Sequence, residues 1–122
     1  MKRVLSVGQC AADHGSISSM LNGNFEVTVE KAATADEAMA TVRAGGVDLV
    51  LVNRLLDLDR SEGSDIIKAI KGDESIASVP VMLVTNFVEH DEAAVKMGAV
   101  SGFGKSALSD PATIAKLAEF LS

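Results

Sequence analysis

Val47-Asp48-Leu49-Val50-Leu51-Val52-Asn53 follows a Gly45-Gly46 pair and is the most strand-like run in the chain. It is nearly continuous in apolar residues. A strand with one wet face alternates polar and apolar residues. A run without alternation reads as a strand covered on both faces, which is the place of a central strand in a parallel sheet. Such a strand delivers its last residue to the carboxyl edge of the sheet, where open α/β folds place their ligands and chemistry. Here that residue is Asn53, a neutral amide.

Working outward, strands and helices alternate along the chain. Arg3 to Val7 reads as a first strand. A helix to about Leu21 follows, with Asp13 as its cap and Ile17, Met20 and Leu21 on one face. Asn22-Gly23-Asn24 is expected to end that helix, since both residue types tolerate left-handed backbone. Phe25 to Glu30 alternates strictly and reads as a strand nearer an edge. Thr34-Ala35-Asp36-Glu37 is a capping box for a helix that carries Ala38, Met39 and Val42 inward.

Beyond Asn53, an acidic loop (Asp57, Asp59, Glu62) precedes a helix starting at Ser64 or Asp65, with Ile66, Ile67 and Ile70 at helical spacing. Pro80 to Thr85 reads as a fourth strand, with Pro80 at its first position, where no ladder donor is needed. Asn86 to Asp91 reads as a loop before a short helix to about Met97, and Gly98 to Gly104 as a fifth strand. Asp110-Pro111 caps a last helix with Ile114, Leu117, Ala118 and Leu121 as its stripe. Five strand-helix units imply a parallel sheet with helices on both faces, joined by right-handed crossovers.

Size and composition narrow the function. A chain of 122 residues with 48% hydrophobic residues is expected to form one domain, residues 1–122. Seventeen acids against eleven bases give a net charge of -6, which argues against nucleic acid as a partner. There is no Trp or Tyr to stack bases on. No apolar run approaches the roughly 20 residues of a membrane span, and no signal-peptide pattern opens the chain. With one cysteine, Cys10, no internal disulfide is available, and a cytoplasmic location is expected. Cys10 has no nearby His or basic cluster in sequence, so it reads as an inert thiol.

The five-fold pattern, together with Asp48-Leu49-Val50-Leu51-Val52-Asn53, Val79-Pro80-Val81-Met82-Leu83-Val84-Thr85 and Gly98-Ala99 followed by Lys105, resembles the receiver domain of bacterial two-component response regulators. The resemblance spans nearly the whole chain. It implies a flavodoxin-like (βα)5 fold with strand order 2-1-3-4-5. It also implies a pocket in which an aspartate ending the third strand takes a phosphoryl group. In that family an acidic pair after the first strand binds Mg²⁺, a Thr or Ser ends the fourth strand, and a Lys follows the fifth.

Carried over residue by residue, Thr85 and Lys105 match and the rest departs. Asn53 stands for the phosphoacceptor, Gly8 and Gln9 for the acidic pair, and Gly102 for the aromatic switch residue, with Phe103 one place along. Ser106 replaces the proline after the Lys, so the cis peptide usual there loses its main support. The loop before Gly63 is longer than the family pattern. An amide is a poor nucleophile, and Mg²⁺ wants carboxylates, so neither metal nor cofactor is implied.

The resulting expectation is a pseudo-receiver: a non-enzymatic signalling module with a degenerate pocket at Gly8, Gln9, Asn53, Thr85 and Lys105, which works by docking other signalling proteins. Two alternatives stand beside it. One is phosphorylation at a displaced acid such as Asp57. The other is a small anion in the vacated pocket, where Lys105 and Thr85 remain and Asp57 or Asp59 is a possible internal partner. His14 and His90 read as surface histidines. Asp13-His14-Gly15 lacks the spacing of the cobalamin-binding motif. No Ser-His-Asp, Cys-His or paired-carboxylate set is evident.

Overall fold

The computed structural model describes all 122 residues. Its elements run β1 (Lys2–Val7), α1 (Ala11–Asn24), β2 (Val27–Ala32), α2 (Ala35–Ala44), β3 (Leu49–Asn53), α3 (Gly63–Lys71), β4 (Val81–Val84), α4 (Val88–Lys96), β5 (Val100–Phe103) and α5 (Pro111–Leu121). The five strands form one parallel sheet in the order β2-β1-β3-β4-β5, the flavodoxin-like order.

The apolar run resolves into two alternating sets. Leu49 and Leu51 face a core layer that takes Ile17 and Leu21 from α1 and Leu117 and Leu121 from α5. Val50 and Val52 face the opposite layer, built by Ala38 and Val42 of α2, Ile66, Ile67 and Ile70 of α3, and Ala94 of α4. Burying each such side chain is worth about 1.5–3 kcal/mol. Continuous apolarity in β3 thus comes from helices on both faces of a period-2 strand.

Most local expectations hold, and several boundaries move. Thr34 Oγ1 accepts from Glu37 N–H at 3.2 Å, and the Glu37 carboxylate accepts from Ala33 N–H at 2.9 Å, so the capping box is formed. Gly45, with φ 90°, ends α2. Asp110 caps α5 through Ala112 N–H at 2.9 Å. The cap of α1 is Cys10, whose Sγ accepts from Asp13 N–H at 3.4 Å, rather than Asp13 itself. That helix runs through the Asn-Gly-Asn segment and ends at extended Phe25. The added turn is closed by Asn24 Nδ2 donating to Met20 O at 2.8 Å and Phe25 N–H donating to Leu21 O at 2.9 Å, which offset the low helix propensity of Gly23.

The second strand sits two residues later than its alternation suggests, yet Phe25, Val27 and Val29 do share one core layer. α3 starts at Gly63 and α4 at Val88, both ahead of their expected starts. Pro80 stands just outside β4 and still accepts from Val50 N–H at 2.9 Å. In α5 the fully buried positions are Thr113, Leu117 and Leu121, so Ile114 and Ala118 flank the stripe instead of forming it. Both histidines are half-buried, not surface residues.

Candidate functional site

The carboxyl edge of the sheet is assembled from the segments after β1, β3, β4 and β5. Asn53 ends β3 with its side-chain N–H groups turned to two backbone carbonyls, Gly8 O at 3.2 Å and Leu55 O at 2.8 Å. Its side-chain oxygen accepts from Arg54 N–H at 3.1 Å. The amide is therefore a tie between the β1 and β3 loops. The Gly8 carbonyl also accepts from Asp57 N–H at 2.9 Å, so both of its lone pairs are engaged.

Gly8 has φ 72°, and a Cβ added there would collide with the Leu56 side chain. Leu56 is fully buried in the layer of α2 and α3. It is placed by a compact turn: Leu56 N–H donates to Ser61 O at 2.9 Å, Arg60 N–H donates to Leu56 O at 2.8 Å, and Leu55 bridges Glu62. The longer loop after Asn53 thus folds an apolar plug over the first strand's end. Nothing in the sequence singles out Leu56, because Leu55 and Leu58 stand beside it in the same loop.

Gln9 does not join Asn53. It is 3% exposed, both its side-chain polar atoms lack partners, and it lies beside a separate cleft with Lys31 and Asp57. The Mg²⁺ that the receiver resemblance implies has no fit here. Gly8 has no side chain, its carbonyl is spoken for twice, and the Asn53 pocket is lined by no carboxylate. No group of three His, Cys, Asp or Glu residues suited to a metal ion is assembled in the structure.

Asn53, Thr85 and Lys105 do line one pocket, together with Arg54, Arg60 and Asn86. Thr85 Oγ1 accepts from Phe87 N–H at 3.2 Å, which leaves its hydroxyl proton free for the pocket. Lys105 Nζ lies 2.8 Å from Asp13 Oδ2, so its partner is neither Asp57 nor Asp59. Lys105 holds the Asp13 carboxyl below its ordinary range, chiefly by hydrogen bonding, against a smaller opposing effect of burial. Asp57 lies in the Gln9 cleft, apart from Thr85 and Lys105, and Asp59 caps its own turn through Ser61 N–H and Oγ.

Gly102 belongs to a neighbouring groove between α4 and α5. A Cβ there would strike the Leu83 carbonyl, so no side chain fits in this backbone. The β4–β5 register slips by one residue: Met82 faces Val100, but Val84 faces Phe103. The slip turns Phe103 into the core layer of α1 and α5, where it is buried. Around Gly102 the Asp91 carboxylate accepts from Gly102 N–H and Ser101 Oγ, both at 2.8 Å, while Lys116 Nζ donates to Gly102 O at 2.9 Å. Helices α4 and α5 are thus tied to β5 by charge-assisted hydrogen bonds where the resemblance expects a mobile aromatic ring. No peptide bond is cis, including that before Ser106.

No family model matches the sequence. Solved structures match over almost the whole chain. The chain superimposes on the chemotaxis response regulator CheY4 of Vibrio cholerae with TM-score 0.75 and 21% identity, over 99% of each chain. It matches the signal receiver domain of a DNA-binding response regulator from Colwellia psychrerythraea with TM-score 0.78 and 19% identity, over 98% of this chain and 99% of that one. NtrX from Brucella abortus matches with TM-score 0.75 and 20% identity over 96% of this chain, which spans only 26% of NtrX. The fold is that of CheY-like response-regulator receivers.

Proposed function

We propose that residues 1–122 form a receiver-like signalling module that has left phosphoryl chemistry behind, is not an enzyme, and acts in the cytoplasm by docking other signalling proteins. One observation carries this reading: the amide at the acceptor position donates to the Gly8 and Leu55 carbonyls while Leu56 packs against Gly8, the first of the two positions of the acidic pair. A phosphoacceptor must be an anionic nucleophile with a cation beside it. Position 53 is a hydrogen-bond donor with no metal ligand in reach. With Gly102 clamped and Phe103 in the core, no residue is set to signal occupancy by turning over. Output is then constitutive or set by binding.

The docking face we assign runs over Thr85 to Met97 and Gly102 to Ser109. It carries Phe87 (57%), Val88 (68%) and Val95 (43%), three of the five large apolar residues that the fold leaves exposed. The test is intact-mass spectrometry after incubation with Mg²⁺ and a small phosphodonor. No phosphoryl adduct is expected, and an acid-labile adduct would overturn the reading. Pull-down with the chain and with its Phe87→Ser/Val88→Ser variant checks the face, with capture lost in the variant.

A further inference from the structure

Eleven basic side chains are distributed over a chain of net charge -6. Three of these residues, Arg54, Arg60 and Lys105, line one pocket at the ends of β3 and β4, and no acid lines it, while Arg54 also borders the adjoining cleft that holds Glu62 and His90. Of the four arginines, Arg3 is paired with Glu30 and Arg43 with Asp73. Arg54 and Arg60 form no ion pair. Arg54 directly follows Asn53, and Arg60 reaches the same pocket from the turn that seats Leu56, where it is the one non-glycine residue with positive φ, 61°. The neutral complement is of the right kind too. The Thr85 hydroxyl has a free proton, and Asn86 and Phe87 border the pocket just ahead of α4, which has no side-chain cap at its amino end.

We propose that this pocket is a metal-free site for a small oxyanion of the phosphate class, held by Arg54, Arg60 and Lys105, with Thr85 donating from the strand end. The inference deepens the docking reading and rests on it, since a pocket still performing metal-dependent phosphoryl transfer would be occupied otherwise. Planar guanidinium groups suit tetrahedral oxyanions because they donate two parallel hydrogen bonds. The pocket's volume, about 210 Å³, is smaller than the ~300–1,000 Å³ typical of drug-sized ligands. That size favours inorganic phosphate or a small phosphate monoester over a nucleotide. Lys105 is shared with Asp13, so the two arginines supply the unspent charge. Thr85, Asn86 and Phe87 also line the α4–α5 groove of the docking face, so the anion is placed to alter partner affinity.

The experiment titrates the intact chain, in chelator and without phosphodonor, with inorganic phosphate, sulfate, glycerol phosphate and chloride at matched ionic strength. Melting temperature and amide NMR shifts are the readouts. Phosphate or sulfate is expected to raise the melting temperature saturably and to shift Thr85, Asn86 and Phe87, with chloride inert. Tighter binding of glycerol phosphate than of phosphate assigns a monoester, and equal or weaker binding assigns the free ion. Arg54→Gln and Arg60→Gln should each weaken binding by about ten-fold, as for loss of a charge-assisted bond. Arg43→Gln, at a distant ion pair, should leave it unchanged. No saturable response, or a response equal in Arg54→Gln/Arg60→Gln, overturns the site and leaves the docking reading standing. A covalent phosphoryl adduct in the Mg²⁺ experiment overturns the docking reading by a separate measurement.

Discussion

The two halves of the sheet's carboxyl edge differ in kind. On the β1 side, Gly8 and Leu56 form a sealed apolar contact, and Asn53 laces the loops together with neutral hydrogen bonds. On the β4–β5 side, Thr85 and Lys105 remain around an open pocket to which Arg54 and Arg60 add positive charge. The two halves are built by different loops, so a change in one need not reach the other. No carboxylate lines the open half, so nothing in its lining repels an anion.

The sharpest way to break this contrast is to put an acid back in the sealed half. Gly8→Asp must adopt φ 72° and drive its Cβ into Leu56, so a loss of about 3 kcal/mol or more is expected. Leu56→Ala alone leaves a cavity worth about 2–5 kcal/mol. The double variant should be more stable than the sum of the two losses by about 1–3 kcal/mol, because the alanine vacates the space the aspartate needs. Urea unfolding of the four species measures the coupling. Strict additivity would mean that Leu56 does not plug the site.

A smaller effect is expected at the acceptor position. Asn53→Asp replaces a donor facing the Gly8 and Leu55 carbonyls with an acceptor, at a cost of about 1–3 kcal/mol. The two carbonyl oxygens are in direct contact with this side chain, at 3.2 and 2.8 Å, and outweigh the more distant pocket cations, of which Lys105 is already paired with Asp13. The new carboxyl should therefore titrate above its unfolded value of ~3.9. The folded state then holds the proton more tightly than the unfolded state. The loss is complete above the folded pKa and is relieved as pH falls through it. A stability penalty that grew on acidification would contradict the hydrogen-bond pattern assigned to Asn53.

The same contrast marks what sequence conveys. The architecture was legible because β3 shows its two-sided burial as continuous apolarity, and because Thr34-Glu37 and Asp110-Pro111 are local caps with local causes. Asn53, Thr85 and Lys105 were legible as pocket residues because strand ends fix where they arrive. Leu56 and Arg60 were not. Their placement depends on a turn closed by Leu56, Ser61 and Arg60 backbone groups and on a left-handed Arg60, none of which has a sequence pattern. Asp13 was misassigned for a related reason: one helix turn in from Cys10, it looks like a cap, while its true partner is 92 residues away at Lys105. The slip that buries Phe103 is a property of strand pairing, which only the folded sheet decides.

The Lys105–Asp13 pair gives the smallest expected effect and separates its two roles. Both side chains are a third exposed, so the pair stabilises the fold by no more than about 1 kcal/mol. The Asp13 carboxyl is lowered by its bond to Lys105, so the folded state binds a proton less readily than the unfolded one. Its contribution is present above the unfolded value of ~3.9 and fades as pH falls through the depressed folded value. Lys105→Gln should move the Asp13 carboxyl toward its ordinary range, by carboxyl-detected NMR titration, and flatten the acid limb of the stability curve slightly. Anion binding in this variant should weaken at neutral pH, where Asp13 is charged in either protein. If stability changed and anion binding did not, Lys105 would be serving Asp13 alone, and the charge of the open half would rest on Arg54 and Arg60.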